Sequence, residues 1–166
     1  MDRYTHIIIE WKMFKEALEY LNKHFVRLES RVEELGEIVS WLNKLEESIK
    51  GTSNSLQIIF KMLRVKYNQF RDSYQDSRKI ISIVNDNMYF DSCRAVSKEE
   101  LVSIRESIYK ETLINDEILH LLGSLKNEGI NSERIECFES VGCEISDIYQ
   151  YNLQLLNKMD GMFRRI

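Results

Sequence analysis

One pair of residues has the spacing that four-helix bundles use to bind iron. Glu117 and His120 form a Glu-x-x-His motif, which places a carboxylate and an imidazole on one face of a helix. Di-iron proteins of this architecture need two such motifs and a glutamate from each of the other two helices. His6 and His24 have no glutamate three residues before them, and no facing carboxylate can be identified for Glu111. We therefore expect no metal or other cofactor, and a metal-binding, ferritin-like oxidoreductase remains an alternative function.

The cysteines and the known catalytic motifs give no support to an enzyme. Cys137 and Cys143 are six residues apart, so a helix directs them to different faces. We expect both to be small packing residues and Cys93 to be exposed in a loop. An odd number of cysteines without a CxxC spacing, and no signal-peptide pattern, indicate a cytoplasmic location. No phosphate-binding loop or nucleophile elbow occurs, so we predict that the protein is not an enzyme.

Arg64, Arg71 and Arg78 repeat at a seven-residue spacing and form what we call the arginine row, with a step of about 10.5 Å along a helix. The row is either a strip that binds an acidic partner or phosphates, or a set of ion pairs to a neighbouring helix, which is the more common role of charges beside a helix interface. We expect no nucleic-acid binding, because the net charge is -4 and the nearby aromatic residues follow the apolar series.

Four segments that must position these residues carry apolar side chains at alternating spacings of three and four, as in a heptad repeat. The first series starts at Trp11 and continues to Ile49. Gly51 then indicates the C-terminal cap of the first helix, and Ser53 indicates the N-terminal cap of the second. Ser97 begins a capping box for the third helix. These patterns predict helices at about 8–50, 55–89, 98–127 and 132–164.

The composition agrees with a helical protein. The 166 residues are 43% hydrophobic and 30% charged, with six glycines and no proline, so the residues that make the turns of sheet proteins are nearly absent. We predict an all-α fold in which residues 1–166 form a single domain. Short loops between long helices favour an elongated, antiparallel up-down-up-down four-helix bundle with coiled-coil-like heptads. The first helix is the longest, and we expect one of its ends to project.

Two apolar strips flank the heptad series of the first helix. They are either covered by a second neighbouring helix or exposed as a surface for a partner, since tryptophan and tyrosine often anchor interfaces. The N-terminal strip consists of Met13, Ala17 and Tyr20, and the C-terminal strip of Ile38, Trp41 and Leu45.

Three polar residues are predicted to lie at similar heights in the bundle. If the helices are antiparallel, His24, Ser77 and Asn152 fall within roughly 9 Å of one level. Buried polar groups in a bundle usually fix the register of the helices at some cost in stability. We expect such a polar layer here, with His24 as a hydrogen-bonded interior histidine.

Long heptads without a catalytic cluster favour a non-enzymatic protein-protein interaction module: an adaptor, a chaperone-like partner or a structural subunit. Its expected partner is a helical protein or a second copy of the chain, with no nucleic acid and no stable membrane insertion. Besides the metal-dependent oxidoreductase, a membrane-active helical protein remains an alternative. The expected partner-binding residues are Met13, Tyr20, Ile38, Trp41, Leu45, Arg64, Arg71 and Arg78.

Overall fold

The computed structural model describes residues 3–49, 51, 53–90 and 98–165, and their side chains at 13, 15–49, 51, 53–82 and 99–161. These residues contain four helices and no strand, which confirms the all-α prediction. Apart from the start of α1, which comes five residues earlier, the bounds differ by at most two residues from those predicted. Cys93 and Ser97 lie outside the described residues. The helices are α1 Arg3–Ser48, α2 Asn54–Phe90, α3 Lys98–Asn127 and α4 Glu133–Arg165.

The helices form an antiparallel up-down-up-down four-helix bundle. Each helix packs against its two neighbours around the bundle. Among the described residues, helices on a diagonal do not approach each other through their backbones, and the rings of Phe70 on α2 and Tyr149 on α4 meet between them at 6.3 Å. The α2–α3, α1–α4 and α3–α4 interfaces are extensive, whereas α1 and α2 touch over a much smaller surface. α1 therefore rests mainly on α4.

The N-terminal end of α1 continues past the end of α2. Arg78 of α2 pairs with Glu29 of α1, and α2 ends twelve residues later at Phe90. Because the two helices are antiparallel, Phe90 lies level with about Ala17, at about 1.5 Å per residue in each helix. The backbone of α1 before Ala17 therefore extends about 20 Å beyond α2.

The core is built from the heptad series seen in the sequence. A helix buries one stripe of apolar side chains against its neighbours, and here each of the four helices buries one residue every three or four positions. Between Leu18 and Leu42 of α1, Val39 is only partly buried, while the other members of the series are at most 5% exposed: Leu18, Leu21, Phe25, Leu28, Val32, Leu35 and Leu42.

Local hydrogen bonds cap the helices close to the positions that the sequence predicts. Ser53 accepts a hydrogen bond from the Leu56 N–H at the start of α2, as an N-cap residue does. At the end of α3, the Ile130 N–H donates to the Leu125 carbonyl across Gly129, whose φ is 88°. This left-handed conformation favours glycine and closes the helix in a Schellman motif.

Gly36 lies inside α1, at its contact with α2. A methyl group built on its backbone would lie 2.6 Å from the hydroxyl oxygen of Tyr67, which is closer than any van der Waals contact. Glycine lowers helix propensity by about 1 kcal/mol relative to alanine. At this position it makes room for the Tyr67 side chain, and α1 remains a single helix.

Candidate functional site

The structure buries the C-terminal strip of α1. Ile38 is 0% exposed, and the ring of Trp41 packs 5.6 Å, between centroids, from the ring of Phe138 on α4. Leu45 is partly buried against the same core. The assignment of Ile38 to a partner surface is therefore corrected, because the side chain is fully buried. Trp41 and Leu45 are partly covered, and α4 carries Phe138 at the height of Trp41.

Two of the three residues of the N-terminal strip remain exposed, while Ala17 is 5% exposed. Met13 is 42% exposed and Tyr20 is 58% exposed, and α4 contributes Tyr151, which is 60% exposed, beside them. Together these side chains border an open groove of about 360 Å³ between α1 and α4. We call it the α1–α4 groove, and its lining residues are Met13, Glu16, Ala17, Tyr20, His24, Tyr151, Leu155 and Lys158.

His24 links this groove to the interior. Its Nδ1 lies 3.2 Å from Oδ1 of Asn152, which is buried, and the ring of Tyr151 stands edge-on to the imidazole at 5.1 Å between centroids. His24 is thus hydrogen-bonded, as predicted, and Asn152 lies at its level, although the imidazole is only partly buried. Ser77, the third predicted member of this layer, is instead hydrogen-bonded to Glu111. Ser77 lies on α2, and its hydroxyl group faces the neighbouring helix α3.

The arginine row faces α1. Arg64 donates to Glu46 and Asn43 at 2.9 Å, and Arg78 pairs with Glu29 at 2.7 Å. Internal pairing, the favoured interpretation, is therefore confirmed for two of the three arginines. The hydrogen bond from Arg64 also lowers the pKa of Glu46 from its ordinary value.

Arg71, the middle member of the row, behaves differently. Its side chain is 46% exposed, and its one ion pair in the described part of the chain is a 3.5 Å contact with Asp72 of the same helix. Such an exposed contact contributes little to stability. Unlike Arg64 and Arg78, Arg71 therefore makes no ion pair with α1 among the described residues.

A carboxyl group lies inside the core on α3. Glu111 is 0% exposed. Its Oε2 is within hydrogen-bonding distance of two serine hydroxyls of α2, Ser77 Oγ at 2.7 Å and Ser73 Oγ at 3.2 Å. Its Oε1 accepts a hydrogen bond from Tyr149 on α4 at 3.0 Å. We call these four residues the Glu111 cluster. None of the ion pairs among the described residues includes Glu111.

Burial controls the ionisation of this cluster. It raises the pKa of Glu111 from 4.5 to about 7, because removal from water disfavours the charged form. Hydrogen bonds from Ser77, Tyr149 and Ser73, and the charge of Lys110, lower the pKa but offset only part of this effect. Burial also raises the pKa of the Tyr149 phenol well above its ordinary value, so this group stays protonated and can donate.

The cluster has a polar neighbour one helical turn away. Asn115 is fully buried and donates to the Gly142 carbonyl oxygen at 2.9 Å. Glu111 and Asn115 both occupy core positions of the α3 heptad series, between Ile108 and Ile118. The sequence carried this signal, because two polar residues interrupt an otherwise apolar series, but it did not show which groups of α2 and α4 bind them.

The Glu-x-x-His motif is not assembled into a cluster. Glu117 pairs with Lys66 at 2.6 Å, and His120 is exposed on α3. Within the described residues, no three or more His, Cys, Asp or Glu side chains come together in a way that could hold a metal ion.

The two described cysteines differ from expectation. Cys137 and Cys143 are both exposed and form no disulfide, so the prediction that they are packing residues is wrong. Both lie outside the heptad series of α4, in which Phe138 and Ile145 are buried. A cysteine on the solvent side of an amphipathic helix stays exposed because no neighbouring helix covers that face.

Comparison of the chain with protein-family models, with curated proteins and with solved structures finds no match. Across the described residues, no helix has a stretch long and apolar enough to cross a bilayer.

Proposed function

We propose that the protein is a non-enzymatic interaction module that binds a helix of a partner chain in the α1–α4 groove. The observation that carries this proposal is the contrast between the two strips of α1. The C-terminal strip packs against the core, with Trp41 beside Phe138, whereas Met13 and Tyr20 are left exposed next to Tyr151. Exposed aromatic and methionine side chains gathered around a groove are typical of protein interfaces.

The dimensions of the groove fit a short helical segment. The α1 residues that line it run from Met13 to His24, a rise of about 16 Å or three turns. A partner helix would place apolar side chains at positions i, i+4 and i+7 against Met13, Tyr20 and Tyr151. Glu16 and Lys158 both line the groove, so a partner with both signs of charge beside its apolar stripe fits better than one with a single sign.

The Glu111 cluster supports a structural role rather than catalysis. Its serines, its carboxyl group and its tyrosine resemble catalytic groups in type, but Ser73 is 7% exposed and Ser77, Glu111 and Tyr149 are 0% exposed. A substrate has no access to these atoms while the bundle is closed.

A pair of photo-crosslinking variants tests the proposal. A photoreactive phenylalanine analogue replaces Tyr20 in one variant and Tyr109 in the other; Tyr109 is 55% exposed on α3 and does not line the groove. We expect a discrete crosslinked complex from position 20 and none from position 109. Light scattering of the purified protein over a range of concentrations shows whether the partner is a second copy. Crosslinked products that are the same from both positions contradict the proposal.

Charge substitutions at the same positions provide the second arm. Tyr20→Asp places a carboxylate in the groove and should abolish the complex, whereas Tyr109→Asp should leave it intact. Circular dichroism of both variants verifies that the bundle is folded. A complex that survives Tyr20→Asp, in a folded protein, rules out this groove as the binding site.

A further inference from the structure

The contacts of Ser77 are compatible with a protonated carboxyl group at Glu111. Ser77 Oγ lies 2.7 Å from Glu111 Oε2 and 3.2 Å from the Ser73 carbonyl oxygen. A serine hydroxyl has a single proton and can donate to only one of them. Both contacts are hydrogen bonds at once if Glu111 carries a proton and donates it to Ser77, which then donates to the Ser73 carbonyl. Tyr149 and the Ser73 hydroxyl donate to the carboxyl group in addition.

Within the described part of the core, no cation compensates an ionised Glu111. The helices that pack against α3 are α2 and α4. The titratable groups that face the carboxyl from them are the phenols of Tyr74 on α2 and Tyr149 on α4. Burial raises the pKa of Tyr74 to about 12, so both phenols are neutral near pH 7. On α3 itself, Lys110 acts on the carboxyl, but as an exposed residue screened by water.

We propose that Glu111 is a proton-operated lock of the bundle: α2, α3 and α4 pack tightly around the carboxyl group while it is protonated, and they loosen when the proton leaves. A carboxylate in this position has only hydroxyl dipoles to replace its hydration shell, so ionisation favours states in which water enters between the helices. The α1–α2 interface is the smallest in the bundle. Water therefore reaches the interior most readily along that interface, which contains a depression of about 170 Å³ beside Tyr74 and Phe25.

The direction of the effect follows from proton linkage. Between the ordinary pKa of 4.5 and the folded-state value of about 7, the folded chain retains a proton that the unfolded chain has lost. The contribution of Glu111 to stability is therefore fully present below pH 4.5 and is lost as the pH rises to 7. The two values give a rise of roughly 70-fold in the unfolding equilibrium constant between pH 5 and pH 8. A pH below 4.5 therefore favours the tightly packed bundle, and a pH of 7 or above favours the loosened one.

Urea unfolding at pH 5 and pH 8 tests the lock, with Glu111→Gln as the variant. Glutamine has nearly the shape of the protonated carboxyl group and cannot ionise. We expect the pH dependence of the wild type to exceed that of Glu111→Gln by the roughly 70-fold factor calculated above. Glu106→Gln, at an exposed position on α3, is the matched control and should keep the wild-type pH dependence. Equal pH dependence in the wild type and Glu111→Gln overturns the proposal.

A direct titration of the wild-type protein makes the test independent of how the variant folds. The carboxyl carbon of Glu111, followed by ¹³C NMR, should titrate with a midpoint near pH 7, while hydrogen exchange of α2, α3 and α4 accelerates over the same pH range. A midpoint near pH 4.5, or exchange rates that ignore the titration after correction for the intrinsic effect of pH, overturns the proposal.

Discussion

Tyr149 on α4 donates a hydrogen bond of 3.0 Å to Glu111 on α3, and neither side chain is exposed to solvent. A buried polar group is costly unless it is hydrogen-bonded. Sliding α4 against α3 by one turn would break this bond and leave both groups unpaired in the core. The pair therefore fixes the relative height of the two helices, which apolar heptads alone specify poorly.

The first prediction concerns that bond. Tyr149→Phe removes the donor and leaves Oε1 of Glu111 without a partner, which should lower the free energy of unfolding by about 1–3 kcal/mol. Tyr151→Phe removes the same atom from a tyrosine that is 60% exposed, and it should have almost no effect. Urea denaturation at pH 5, where the carboxyl group is neutral, measures both. Equal effects of the two variants would show that the buried bond does not stabilise the fold.

The second prediction concerns two glycines inside helices. A methyl group on Gly123 meets no atom within 4 Å, whereas one on Gly36 lies 2.6 Å from the Tyr67 hydroxyl. Gly123→Ala should raise the thermal stability by the helix-propensity gain of about 1 kcal/mol. Gly36→Ala should gain nothing or destabilise the protein, because the rigid phenol must move.

A double-mutant cycle separates the two contributions at Gly36. In a Tyr67→Phe background the clashing oxygen is absent, so Gly36→Ala should recover most of the gain seen at Gly123. Thermal melts of the four cycle members give the coupling energy. If Gly36→Ala has the same effect with and without the Tyr67 hydroxyl, the close approach does not limit this position.

The third prediction concerns thiol reactivity. Cys137 and Cys143 are exposed and free, so both should react with Ellman's reagent in the native protein, at rates within about tenfold of those in urea. Cys93→Ser is the background for the assay, so that only these two thiols are counted. Protection of either thiol until the protein unfolds would contradict the exposed positions on α4.

The fourth prediction compares two apolar residues of α2. Phe60 is 0% exposed, whereas Ile58 is 58% exposed. Phe60→Ala should destabilise the bundle by about 3–5 kcal/mol through lost burial and a residual cavity. Ile58→Ala should stay within about 0.5 kcal/mol of the wild type. Chemical denaturation provides both values, and a small loss for Phe60→Ala would mean that the core collapses around the deletion.

The heptad series made the fold predictable because each helix buries its own periodic stripe. Leu28 and Phe70, for example, are core residues by spacing alone, and both are fully buried. The helix ends were also predictable, because each depends on residues that are close in the sequence: Ser53 caps the start of α2, and Gly129 follows the end of α3. Features that depend on a few neighbouring residues or on one period can be predicted without knowing which helices meet.

The candidate site was less predictable, because it depends on what the adjacent helix carries at the same height. Trp41 and Tyr20 belong to equivalent strips, yet only Trp41 faces a phenylalanine of α4. Ser77 was expected beside His24, but the register places it next to Glu111. Such pairings require the relative heights of helices to within one turn, and a single sequence does not contain that information.

The helix that makes the largest interface with α1 is far from it in the sequence. α1 rests chiefly on α4 and only lightly on α2, and α4 begins at Glu133, long after α1 has ended at Ser48. During translation at 5–20 residues per second, the apolar stripe of α1 leaves the ribosome on the order of ten seconds before α4 has been synthesised. Until α4 has been made, α1 therefore lacks the helix that covers most of its apolar stripe and can pack only against the small interface that α2 offers.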